Sequence, residues 1–305
     1  MQKITAEEIH QLADYIRSIS GISLNQSKAY LFETRLGPLL DREGLPSYSE
    51  LYRKAKSEPN KRLENRIIDA ISTNETLFFR DRGPFDLLQH KILPDLLSRR
   101  NANTAKILST PLRIWSAACS TGQEVYSIAI VLKELLGDLK NYKLKLLGTD
   151  ISDAAIAQAS RGCYSKFEIE RGLPREKLVK YFTPQSCGWK VKDDLRAMAT
   201  FRRLNLMLPF AALGKFDIIF CRNVAIYFDP DDRRKLFERL ADMLVPDGSL
   251  IIGSTESLTG VCNRFAPKRH LKSVYYQLKT PPAGLTQSEP TGKRPHREPL
   301  TATAK

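Results

Sequence analysis

Two acids, each placed just behind a run of apolar residues, are the side chains here best suited to chemistry. The first, Glu124, closes the stretch Ala117-Ala118-Cys119-Ser120-Thr121-Gly122-Gln123-Glu124, which follows a run of strand length (Leu112–Ala118) and opens a helical pattern. Small residues and Gly122 at that junction sit where open α/β sheets take nucleotide-like ligands, beyond the carboxyl ends of the strands. The stretch is not Gly-x-Gly-x-x-Gly and lacks the Lys-Ser/Thr of a phosphate-binding loop, which weakens dinucleotide and triphosphate readings. Glu124 repels phosphate and suits a cationic group such as an amine; alternatively it only complements the positive end of its helix. The second acid, Asp150, ends the run Leu144–Asp150, about 28 residues after Gly122. That is near the offset at which an acid binds ribose hydroxyls, and it is equally a cap for the helix that follows. An acid for an amine, an acid for a ribose and no phosphate cradle point to S-adenosylmethionine, which carries an adenosine, an ammonium and a sulfonium but no phosphate.

The elements that position these acids follow from the apolar pattern. From residue 112 onward, strand-length runs alternate with helical stretches: Leu112–Ala118, a helix from Glu124, Leu144–Gly148, a helix from Ser152, Phe216–Cys221, a helix from Asp231, and Ser249–Gly253. This predicts an α/β domain with a mostly parallel sheet. A last strand, Ser273–Leu278, follows a long loop and is expected antiparallel at or near an edge. Between Gly162 and Asn205 a helix near Arg175–Phe182, a turn at Gln185–Gly188 and short strands at Trp189–Lys192 and Thr200–Arg203 read as an inserted element. Residues 5–75 read as short amphipathic helices, with Thr5 before Glu7 and Glu8 as the first N-cap. The tail from Thr280, rich in proline and poor in large apolar residues, is expected to be disordered.

Composition bounds the function. The chain has 305 residues, 42% of them apolar, enough for a sizeable core and about two domains. It carries 48 basic against 34 acidic residues, a net +14, so its surface favours acidic partners. The excess is densest in 161–205, with 11 basic and 5 acidic residues. The five cysteines (Cys119, Cys163, Cys187, Cys221, Cys262) are odd in number and contain no Cys-x-x-Cys. That argues against a disulfide framework and a structural zinc site, and for a reducing compartment. With no signal-peptide core in residues 1–20 and no apolar run near the roughly 20 residues of a membrane span, a soluble cytoplasmic protein with no direct membrane insertion is expected.

Three segments carry a resemblance. Ser72-Thr73-Asn74-Glu75-Thr76-Leu77-Phe78-Phe79-Arg80, Trp115–Ser127 and Phe220-Cys221-Arg222-Asn223-Val224-Ala225-Ile226-Tyr227-Phe228 resemble the CheR family of chemotaxis receptor methyltransferases, in the same order and over about residues 5–278. The resemblance implies a Rossmann-like methyltransferase sheet (76–279) with a small inserted β element at about 183–204. It also implies a helical receptor-recognition domain (1–75) in front and a disordered tail (280–305) behind. It further implies S-adenosylmethionine-dependent O-methylation of glutamates on the helical cytoplasmic bundles of chemoreceptors, with S-adenosylhomocysteine as product and no metal. By motif, Asn74, Thr76 and Arg80 would contact the cofactor or border the transfer site. Glu124 would take the ammonium, Asp150 the ribose, and Asn205-Leu206 would line the adenine pocket. Arg222-Asn223 and, in the turn, Gly122 would bind the cofactor, with Tyr227 near the methyl. Phe78 and Phe79 read as core packing, and Cys221 as a buried small residue with no base to activate it.

The chemistry suits these residue types. A glutamate, with a pKa of about 4.3, is already an anion at neutral pH, so attack on a sulfonium methyl needs no general base. Catalysis then rests on alignment and exclusion of water, with Arg80 and Tyr227 as the residues that hold the substrate carboxylate. Lys28, Arg35 and Arg42, seven residues apart, are expected on one side of a helix bent at Gly37-Pro38. They either face an acidic receptor helix or form a solvated stripe. Arg99 or Arg100 is a further candidate near the substrate. Val125 stands where many members have proline, which touches only the helix start. The turn Thr183–Gly188 resembles the shorter version of a hairpin that, in longer form, docks a receptor tail peptide, so dependence on such a tether is not expected. A nucleic-acid methyltransferase would suit the charge, but there is no Asn/Asp-Pro-Pro-Tyr/Phe motif and no aromatic interleaving. A catalytically silent cofactor-binding regulator is disfavoured by intact Arg80, Glu124, Asp150, Asn223 and Tyr227.

Overall fold

The computed structural model describes residues 3–24, 28–103, 110–137 and 139–279. The proline-rich tail therefore lies outside the described residues. Four helices come first: α1 (Ala6–Ser20), α2 (Ala29–Glu43), α3 (Tyr48–Ser57) and α4 (Arg62–Ile71). Thr5 caps α1 in a reciprocal box, its hydroxyl accepting the Glu8 amide and the Glu8 carboxylate accepting the Thr5 amide at 3.0 Å. Leu12 and Ile16, Phe32 and Leu36, and Leu63 and Ile67, each four apart and so on one helix face, meet in a common core. The α2 helix continues through Pro38 to Glu43.

After α5 (Gly83–Leu87), a π turn and α6 (Leu93–Asn103), the chain enters the sheet. Strand β1 (Thr110–Ala117), helix α7 (Gln123–Leu136), β2 (Tyr142–Asp150) and α8 (Asp153–Arg161) are followed by β3 (Cys163–Tyr164), α9 (Lys166–Glu170), α10 (Arg175–Tyr181), β4 (Phe182–Gln185) and β5 (Gly188–Val191). Then come α11 (Asp193–Arg196), β6 (Ala199–Arg203), β7 (Phe216–Cys221), α12 (Pro230–Asp242), β8 (Leu244–Ile252), β9 (Phe265–His270) and β10 (Ser273–Leu278). Seven strands form one sheet in the order β6-β2-β1-β7-β8-β10-β9, parallel except for the two pairings that β10 makes. Its central strands are buried on both faces. Ile114, Ile218 and Ile251 point to the α7 side, and Trp115, Ile219 and Leu250 to the α12 side, in the two-residue alternation of strands. Among the described residues no helix is long and apolar enough to cross a membrane.

Three expectations are corrected. The segment Thr200–Arg203 does not belong to the inserted element: β6 pairs in parallel with β2, from Leu146↔Ala199 to Asp150↔Arg203, and forms one edge of the main sheet. The insert is a separate three-stranded sheet, β3-β5-β4, whose third strand is the pair Cys163–Tyr164. Second, the long loop before β10 contains β9, the other edge strand. Its Pro267, Lys268 and Arg269 read as loop because an edge is where a strand tolerates proline and charge.

Third, Cys163 and Cys187 form a disulfide that ties the β4–β5 turn to β3, although the odd cysteine count spoke against one. Spacing along the chain could not show it, because the two meet only once the small sheet forms. Thiol titration of the denatured, unreduced protein is accordingly expected to read the three cysteines left over, Cys119, Cys221 and Cys262. Reduction is expected to lower stability by about 3.5 kcal/mol, the loop-closure value for a bridge with a sequence separation of 24; five thiols before reduction would contradict the pairing.

Candidate active site

Strand order reverses between β1 and β7, the point at which an open α/β sheet leaves a crevice at its carboxyl edge. A cleft of about 890 Å³, its open mouth included, lies there. Its floor is Ala118, Cys119 and Ser120 after β1, Asp150 and Ile151 at the end of β2, and Arg222 to Val224 after β7; Ser20, Ile22 and Ser72 to Thr76 from the helical segment roof it. Ala118, Ser120 and Asn223 all have left-handed backbones, φ 59°, 51° and 57°, conformations that cost non-glycine residues of order 1–3 kcal/mol each. Hydrogen bonds at the same loops hold them. The Cys119 amide donates to the Thr149 carbonyl at 2.8 Å, the Ser120 amide to Asp150 Oδ2 at 2.8 Å and the Asn223 amide to Glu256 Oε2 at 2.8 Å.

Both acids that stand out in the sequence line the cleft and are buried. Glu124 accepts the Ser116 hydroxyl at 2.7 Å and Arg222 Nη1 at 2.8 Å. Arg222, its side chain only 2% exposed, also donates through Nη2 to the Arg80 carbonyl and to Asp81 Oδ2, so its charge is balanced within the protein. Asp150 accepts the Ser120 amide on one oxygen and the Ser152 amide, at 3.0 Å, on the other. Burial raises the Asp150 pKa, opposed by these amide donors. The cap of α8 is Ser152, whose hydroxyl accepts the Ala155 amide, so Asp150 keeps its remaining lone pairs for the cleft.

The other expected residues divide. Asn74, Thr76, Arg80, Asn205, Leu206, Arg222, Asn223 and Tyr227 line the cleft with Glu124 and Asp150. Gly122 does not. It turns the chain at φ 95°, and a Cβ there would lie 2.8 Å from Ala159 Cβ, so its role is close packing beneath the site. Asn205 spends its side chain on the Ile19 carbonyl and the Met207 amide, fastening the cleft wall to α1. Lys28, Arg35 and Arg42 lie outside the lining and do not form one exposed row. Lys28 precedes α2, Arg42 is exposed, and Arg35 folds onto the Ile71 carbonyl (2.6 Å) and Thr73 Oγ1 (3.2 Å). Arg99 and Arg100 pair with Asp247 and Asp217, away from the cleft. Phe78 is fully buried, edge-on to Tyr164 and Phe182. Burial pushes the Cys119 and Cys221 thiols well up, which leaves neither a thiolate nucleophile. Sequence reading missed Asp81 and Glu256, the acids that hold Arg222 and Asn223.

Residues 7–72 match the all-alpha domain of CheR methyltransferases, and residues 74–273 match their S-adenosylmethionine-binding domain. The chain belongs to the CheR methyltransferase family. It is 37% identical over 277 residues to "Chemotaxis protein methyltransferase Cher2" of Pseudomonas putida, covering 89% of this chain and 98% of that protein. It is 38% identical over 279 residues to a chemotaxis protein methyltransferase of Vibrio parahaemolyticus (90% and 98%), and 39% identical over 265 residues to one of Borreliella burgdorferi (84% and 90%). As a CheR protein it is an S-adenosylmethionine-dependent methyltransferase. The side chains of the cleft fit that cofactor: two buried carboxylates with acceptor capacity to spare, apolar Ile151, Leu204 and Leu206, and, among the described residues, no lysine in the lining.

Proposed function

We propose that this CheR protein methylates glutamate side chains on the helical cytoplasmic bundle of methyl-accepting chemoreceptors, giving glutamate methyl esters and S-adenosylhomocysteine, and that it works in the cytoplasm. The observation that carries the reading is the union, in one roofed cleft, of buried Glu124 and Asp150 with Arg80 and Tyr227. The names of its relatives as chemotaxis methyltransferases support the substrate class.

S-adenosylmethionine supplies, when bound, an electrophilic methyl on a sulfonium. Asp150 would hold the ribose hydroxyls, Glu124 the methionyl ammonium, and Asn205 and Leu206 the adenine side. Ser116 and Arg222 fix the Glu124 carboxylate in place. Asn74 and Thr76 close the roof, and Asn223 the floor beside Tyr227. Arg80 and Tyr227 would orient a substrate glutamate that is already ionised, so no general base is required, and among the described residues no histidine lines the cleft. With substrate filling the open mouth, the roof would exclude water from the transfer.

Tyr227→Phe is expected to lower kcat on a receptor fragment by about tenfold or more, the worth of one hydrogen bond to an anion, at roughly 1.5–3 kcal/mol, with cofactor affinity unchanged. An unaltered kcat would remove Tyr227 from the transfer site.

Recognition of the receptor is assigned to the helical segment, with exposed Arg42 and the half-buried Lys28 near the α2 ends; Arg35 is committed internally. The small sheet supports tether-independent action. Its edge strand β4 is four residues long and includes Pro184, which lacks a backbone donor for strand addition. Calorimetry with a chemoreceptor C-terminal peptide is expected to give no binding, and specific binding would contradict this.

A further inference from the structure

A chain of hydrogen bonds runs around the Asp150 end of the cleft, and the backbone of the helical segment joins its two ends. Asp69, in the last turns of α4, accepts the Ser152 hydroxyl at 2.7 Å and faces the Ala154 amide at 3.4 Å. Ser152 is fully buried, so its hydroxyl proton needs an acceptor, and one left unmade is costly. The Ser152 amide donates to Asp150 Oδ1 at 3.0 Å, Asp150 Oδ2 accepts the Ser120 amide at 2.8 Å, and the Ser120 hydroxyl donates to the Asn74 carbonyl at 3.1 Å. Asn74 follows α4 in the segment that Arg35 grips at Ile71 and Thr73, which returns the chain to Asp69. One helical turn before Asp69, Asn65 accepts Arg203 at 2.6 Å, while Arg203 donates to the Ile151 carbonyl at 3.1 Å. Residues four apart share a helix face, so α4 presents Asn65 and Asp69 together to the loop that carries Asp150.

We infer that Asp69 is a positioning residue: its side-chain oxygen, through Ser152, sets the pose in which Asp150 meets the cofactor ribose, and so makes cofactor affinity depend on how α4 is docked. This rests on the assignment of Asp150 to the ribose. The required feature is an oxygen acceptor, because both of its hydrogen-bond partners are neutral donors; the Asp69 charge acts separately, adding to burial in raising the Asp150 pKa.

The test measures S-adenosylhomocysteine affinity by calorimetry and kcat at saturating S-adenosylmethionine for Asp69→Ala, Asp69→Asn, Ser152→Ala, the Asp69→Ala/Ser152→Ala pair and Asp150→Ala. Asp69→Ala is expected to bind about tenfold more weakly, equivalent to about 1.4 kcal/mol, with kcat within about twofold of native. Asp69→Asn, which keeps the acceptor, stays within about twofold in affinity. The double variant loses less than the sum of the two singles, since both break the Ser152–Asp69 link, while Ser152→Ala also removes the α8 cap. Native affinity in Asp69→Ala, an asparagine variant as weak as alanine, or additive losses would each overturn the inference. If Asp69→Ala does not fold, Ser152→Ala and Asp69→Asn decide it. Native affinity in Asp150→Ala would sink the ribose assignment itself, which separates that failure from a failure of Asp69.

Discussion

Replacing Asp150 with alanine is expected to weaken cofactor binding by about 100-fold, the largest loss of any single change in the cleft. Two hydrogen bonds from ribose hydroxyls to a carboxylate, at roughly 1.5 kcal/mol each, sum to about 3 kcal/mol, and each 1.4 kcal/mol is tenfold. The same change strands the Ser120 and Ser152 amides that Asp150 now accepts, and with them the left-handed turn at Ser120. The raised pKa of Asp150 gives this prediction a pH signature. Its cause is burial, so in the empty cleft the ionised form is disfavoured. That carboxylate therefore costs the cofactor-free fold stability as pH rises from the ordinary carboxylate range through the raised value. Hydroxyl donors favour the ionised form, so cofactor affinity falls as pH is lowered through the same window. Calorimetric titration across the acid range checks the affinity and urea denaturation over the same range checks the stability: Asp150→Ala should bind weakly at every pH, with the native pH dependence of both diminished.

The second large effect is on folding. Arg222→Ala is expected to destabilise the protein by about 3–5 kcal/mol, because it leaves the buried Glu124 carboxylate without its counter-charge and frees the Arg80 carbonyl and Asp81. Urea denaturation of the variant measures this. The Glu124→Gln/Arg222→Met pair should recover much of the loss, since it removes both charges together, while still failing to bind cofactor normally. A single Arg222→Ala variant as stable as the native protein would contradict the pairing of buried Arg222 with Glu124 and Asp81.

Glu124 and Asp150 were legible because a strand–turn–helix junction is written in contiguous residues, and the carboxyl edge of a parallel strand is where such a sheet binds. The runs around Ile114, Leu146 and Ile218 announced the parallel core for the same reason. Asp81 and Glu256 were not legible. Asp81 meets Arg222 across a separation of 141 residues, and Glu256 meets Asn223 across 33, so nothing local marks either acid as a partner. Spacing also misled at Arg35: a seven-residue interval puts it on a helix face but cannot tell a solvated cation from one that folds back onto the end of α4. The disulfide and the edge strands β6 and β9 share that cause, because each is defined by what lies beside it in space, and their polar or short sequences carry little period of their own.

The account's central claim is transfer of a methyl group to a carboxylate oxygen. The most direct measurement incubates the protein with methyl-labelled S-adenosylmethionine and a chemoreceptor cytoplasmic fragment, then treats the products with base, since carboxyl methyl esters release volatile methanol and methylated nitrogen does not. The account predicts alkali-volatile label on the receptor fragment, lost in Asp150→Ala. Label that is stable to alkali, or that appears on RNA in a parallel reaction and not on the receptor, would contradict it.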